Sequence, residues 1–159
     1  MPASQPASRP RHEFETIVKG QEFTADELAE ALEMWARADG GRVVHAVVHL
    51  LTAAGLAQSW PGFSQYLAVE LYTDPSDPAP EPYPVARVLD WNSLHNAIPA
   101  GVGKSALALF VYARALGDRG FLLCLSDLLE GMEPGTQRVV HEANAIRFGL
   151  PRDAPRRRD

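Results

Sequence analysis

Cysteine is nearly missing from this chain: Cys124 is the only one in 159 residues. A single thiol excludes an internal disulfide framework and suits a reducing compartment. The first residues also lack the cationic start and apolar run of a secretory leader. No apolar stretch reaches the length needed to cross a bilayer. The expectation is a cytoplasmic protein that makes no membrane contact. A basic face is absent too. Net charge is −5, the acidity is concentrated from Glu13 to Asp39, and the densest arginines, Arg156 to Arg158, sit in the tail. Grip on a phosphate backbone needs clustered cations on the folded body, so nucleic acid is not the expected partner.

A further absence removes a chemistry. Gly101-Val102-Gly103-Lys104-Ser105 looks like the end of a phosphate-binding loop. Such a loop needs Gly-x-x-x-x-Gly-Lys-Ser/Thr between a buried strand and a helix, so that backbone N–H groups wrap the phosphates. Gly103, Lys104 and Ser105 fill the last three places, but Ile98 stands where the first glycine belongs. A β-branched residue is a poor substitute where the backbone must turn through positive φ. The stretch before it, Asp90 to Asn96, is polar and does not read as a buried strand. Gly103, Lys104 and Ser105 therefore stand as nucleotide-binding candidates, with Asp127 as the magnesium aspartate such an enzyme would use. The plainer reading is a glycine turn that opens a helix.

What is present is an ordinary globular composition, 46 % apolar and 22 % charged, in a length that suits one domain. Residues 1–11 and 151–159 are Pro/Arg-rich and aperiodic and are expected to be disordered arms. Between them, residues 12–150 are expected to share one core. Thr24-Ala25-Asp26-Glu27 reads as a capping box opening a helix. Leu28, Leu32 and Trp35 give that helix its apolar face, and Gly40 and Gly41 end it. A second helix is expected over Arg42 to Ala54, completing a helical hairpin across 24–55.

The segment 66–91 reads either as strands of a small β-hairpin or as short helices, because short apolar runs do not decide by period. The Pro-rich stretch 74–84 inside it reads as a loop. Further helices are expected over Ser105 to Leu116, with Leu107 and Phe110 inward, over Phe121 to Leu129, and over Pro134 to Phe148, which has proline in its first turn. The fold class is mainly α, a compact helical domain built from αα-hairpins. Arg42-Val43-Val44-His45 is echoed by Arg138-Val139-Val140-His141, each read as opening the second helix of a hairpin, which raises the question of duplication.

Three groups of side chains are candidates for chemistry. His45 and His49 stand four apart on one helix face, a spacing at which two imidazoles share zinc, with His141 or Glu142 as the third ligand that tertiary structure would have to supply. The glutamate that a zinc protease carries beside its first histidine is replaced by Ala46. Arg42, His45, His49 and Thr52 also read simply as the polar stripe of an apolar helix. Asp90, Trp91 and His95 form the densest polar-aromatic cluster, next to a loop where functional groups often sit. Cys124, flanked by leucines, reads as a small buried hydrophobe.

None of these sets is complete, so no cofactor is assigned. The expected function is that of a non-catalytic interaction or regulatory module with a protein partner or self-association. The alternatives are a nucleotide- or metal-binding enzyme and a helix-turn-helix DNA regulator. The recognition helix of the latter, Arg42–Ala54 or Gln137–Phe148, would be sparsely basic.

Overall fold

The computed structural model describes residues 15–16 and 23–151, so the arm expected over residues 1–11 and residues 152–159 of the other arm lie outside the described residues. Helix α1, Ala25–Asp39, starts at the capping box: Thr24 Oγ1 accepts from Glu27 N–H at 3.2 Å, and Thr24 N–H donates to Glu27 Oε2 at 2.8 Å. That pair satisfies two N–H groups that the first turn would otherwise leave unbonded. The helix buries Leu28, Ala31, Leu32 and Ala36, a single stripe, and ends at Gly40 with φ 68°. The left-handed turn there has little cost for glycine, and it sends the chain into α2, Arg42–Ala54.

Helix α2 is the hub. It buries Ala46, Val47, Val48, Leu50, Leu51 and Ala54, and it packs against α1, α5 (Lys104–Gly117) and α7 (Pro134–Phe148). A helix apolar over most of its circumference must be covered on several sides. Here part of the polar remainder, including His45, His49 and Thr52, lines an open groove. A short α3, Leu56–Ser59, and a 3-10 turn, Phe63–Tyr66, then lead to the sheet.

The segment left undecided by period is a β-hairpin followed by a helix. Strand β2, Leu67–Tyr72, pairs antiparallel with β3, Tyr83–Val88, in a register running from Leu67↔Val88 to Tyr72↔Tyr83. The short β1, Glu15–Thr16, adds to the other edge of β2, giving the order β1-β2-β3. Two cross-strand contacts fix the pairing. Tyr72 and Tyr83 meet edge-on at 5.2 Å between ring centres, and Arg87 reaches Glu70 at 3.2 Å. Strand β3 lies against α1. The chain leaves the sheet at Val88, and Asp90 caps α4, Trp91–Ala97.

Four expectations are corrected. The helix expected over Phe121 to Leu129 is confined to α6, Leu125–Leu129, and residues 121–124 have no regular structure. No side chain caps α6, and Phe121 is instead held in a turn by its N–H bond to the Asp118 carbonyl. Cys124 is exposed, not buried. Leu107, expected inward, is 37 % exposed, whereas Phe110 on the same helix is fully buried. The Arg-Val-Val-His echo also loses its equivalence. Arg42 is the first residue of α2, while Arg138 lies a full turn inside α7.

Candidate functional site

The turn between α4 and α5 holds the phosphate-loop look-alike. Helix α4 ends at Ile98, whose φ of −58° is far from the glycine-only region, and a Pro99 carbonyl to Val102 N–H bond closes the bend. Gly103 is the N-cap of α5 with extended backbone, and Lys104 and Gly103 are exposed. A Cβ placed on Gly101 or Gly103 would meet nothing within 4 Å. The segment is thus helix-turn-helix, not strand-loop-helix. The backbone does not wrap a cradle there, and the glycines are not required by any close approach.

The histidines of α2 line an open groove of about 540 Å3 between α1, α2 and α7. Ala36, Val48 and Ile146 form its apolar floor, and Glu33, Arg37, His45, His49 and Thr52 its polar walls. From α7, Glu142 Oε2 lies 3.1 Å from His49 Nε2, and its other oxygen is 3.8 Å from Arg138. The structure therefore gives His49 a carboxylate partner. His141, one residue earlier on α7, is exposed and does not line the groove. Among the described residues, no three His, Cys, Asp or Glu side chains come close enough to share a metal ion.

Asp90, Trp91 and His95 do converge, around a residue the sequence did not single out. Arg114 on α5 donates from Nη1 to His95 Nδ1 at 2.8 Å, and its Nε donates to Asp118 Oδ2 at 3.3 Å. Its guanidinium carbon lies 4.2 Å from the centre of the Phe121 ring. A guanidinium only donates, so His95 must accept at Nδ1 and carry its proton on Nε2. Burial lowers the His95 pKa, and the Arg114 charge lowers it further.

The His95 ring stands edge-on to Phe110 at 5.3 Å and to Phe121 at 6.0 Å. Trp91 packs on Phe110 at 5.9 Å and lies over Gly117. Asp90 caps α4 by accepting from the Asn92 and Ser93 N–H groups and the Ser93 hydroxyl. Its carboxyl sits below the usual range, first through the Ser93 backbone and hydroxyl bonds and then, more weakly, through Asn92 and Arg114. The polar capacity of this cluster is thus directed inward, tying α4 to α5 and clamping Phe121. The signal for Arg114 was the spacing of Phe110, Arg114 and Asp118, each four apart on one helix face.

Beyond the clamp the chain turns apolar and outward. Leu122 is 91 % exposed and Leu125 40 %, with Cys124 exposed between them. Leu123, Leu128 and Leu129 are half-buried against the core, and no residue of α6 is buried. A scan of protein-family models and searches of curated proteins and of solved structures give no match to this chain.

Proposed function

We propose that this protein is a small non-catalytic module that acts by contact with a protein partner, through the apolar segment joining α5 to α7. The carrying observation is the exposure of Leu122 and Leu125 in a segment that is itself anchored by the Arg114–Phe121 clamp. Two leucines exposed three residues apart on one anchored segment differ from the single exposed hydrophobes that every surface carries. Holding them on an anchored segment lowers the ordering cost of association. The ion pairs and caps described above support the same reading, because they serve to position elements and not to converge on a reacting atom.

The test compares the wild-type chain with a Leu122→Ser/Leu125→Ser double variant. Both are sized by light scattering for self-association and are used as bait in extracts of the source cells. The wild type is expected to form a defined complex, with itself or with one other protein, that the variant does not form at an unchanged thermal midpoint. Identical behaviour of the two chains would overturn the reading.

A further inference from the structure

The segment that displays Leu122 and Leu125 is bordered by acid. From Gly117 to Glu133 the charged residues are Asp118, Arg119, Asp127, Glu130 and Glu133, and Arg114 already holds Asp118. Asp127, Glu130 and Glu133 are exposed, and Asp127 lies on α6 itself, two residues beyond Leu125. No cation occurs between Arg119 and Arg138. The whole described body leans the same way, since residues 23–151 carry eight Lys and Arg against fifteen Asp and Glu. Exposed leucines and exposed carboxylates thus follow one another along this segment, with Asp127 on the face of α6 away from Leu125 and the core-packed Leu128 and Leu129.

An apolar centre is matched by apolar groups, and a charged rim selects the sign of the partner's rim and speeds its approach. From this complementarity we infer that the α5–α7 connection docks a basic amphipathic segment of a protein partner, with leucine-like side chains against Leu122 and Leu125 and Lys or Arg facing Asp127, Glu130 and Glu133. This rests on the proposed interaction function and adds the chemistry of the partner. A second acidic copy of this chain fits such a rim poorly, because like charges would face one another.

The test uses three synthetic helical peptides with one common leucine face and a polar face of lysine, glutamine or glutamate, each fluorescently labelled and read by anisotropy. The Leu/Lys peptide is expected to bind most tightly, and to weaken about tenfold when salt is raised from low to physiological strength. Asp127→Lys/Glu130→Lys should weaken it by about tenfold or more, while Glu30→Lys/Glu81→Lys, which changes net charge equally at remote exposed sites, should not. Equal loss in both pairs would mean attraction to overall charge and would overturn the inference. So would equal binding of the lysine and glutamate peptides. If Leu122→Ser/Leu125→Ser weakens all three peptides while the rim variants weaken none, the docking surface stands and its charge preference falls. If the leucine variant changes nothing, the surface itself is misplaced.

Discussion

Replacing Arg114 by methionine tests the clamp most directly, because the stem is kept and only the guanidinium is removed. Four contacts disappear: the bond to His95, the ring contact with Phe121, the ion pair with Asp118 and a long bond to the Asn92 side-chain carbonyl at 3.5 Å. A hydrogen bond to a charged group contributes about 1.5–3 kcal/mol. A cation over an aromatic face adds about 0.5–1 kcal/mol. An i,i+4 ion pair adds about 0.3–0.5 kcal/mol. These share one group and are not additive, so the expected loss is roughly 2–3 kcal/mol. For a domain of this size the thermal midpoint should fall by roughly 6–12 °C.

Urea unfolding gives the free energy, and an NMR titration of His95 gives the second readout. Burial and Arg114 both depress the His95 pKa, burial more. Removing the arginine should therefore raise it while leaving it below about 6.5. The sign of the pH effect follows. Above about pH 6.5 neither folded nor unfolded His95 is protonated, and its effect on stability is neutral. As pH falls from there to the lower folded pKa, the unfolded chain binds a proton that the folded chain refuses, so stability drops. Arg114→Met should make that drop shallower. A loss below about 0.5 kcal/mol, within the range of an ordinary surface change, or an unmoved His95 pKa, would refute the clamp.

Gly117→Ala should destabilise by about 1–3 kcal/mol in urea unfolding, because its Cβ would come within 2.6 Å of the Trp91 ring. Leu50→Ala, at a fully buried position of the hub helix, should lower unfolding free energy by about 2–5 kcal/mol and leave the circular dichroism spectrum helical. Thr24→Ala removes the hydroxyl that accepts from Glu27 N–H and should lower stability by about 1 kcal/mol, with fraying of α1 visible by hydrogen exchange. Glu142→Gln breaks a half-exposed pair with His49, and its effect on unfolding free energy should stay under about 0.5 kcal/mol.

Helix ends were legible where one residue type carries the signal. Thr24 and Glu27, Gly40, Pro134 and Gly149 all mark boundaries that the structure has. The hairpin was legible as one of two readings of 66–91, and its register was not, because the register depends on partners in the other strand, Tyr72 with Tyr83 and Glu70 with Arg87. Residues 121–124 misled for a related reason. Their apolar run reads as buried helix, but their place is decided by Arg114 and Asp118 on the preceding helix. Likewise Asp90, Trp91 and His95 stood out as a cluster, whereas the i,i+4 spacing of Arg114 with Phe110 and Asp118 gave no hint of its contact with His95, 19 residues away in the chain. Of the two residues of α7 that the sequence offered beside the α2 histidines, His141 and Glu142, the structure brings Glu142 to His49.

The connection between β2 and β3 carries Pro75, Pro78, Pro80 and Pro82 and is exposed through most of its length, yet Tyr72 and Tyr83 lock its two ends together. Lengthening a surface connection is cheap, about 0.6 kcal/mol for each doubling, provided the flanking pair holds. The point between Ala79 and Pro80 therefore accepts a grafted epitope or a reporter domain. Such a fusion would leave both chain ends untouched and give a handle for following the molecule in cells.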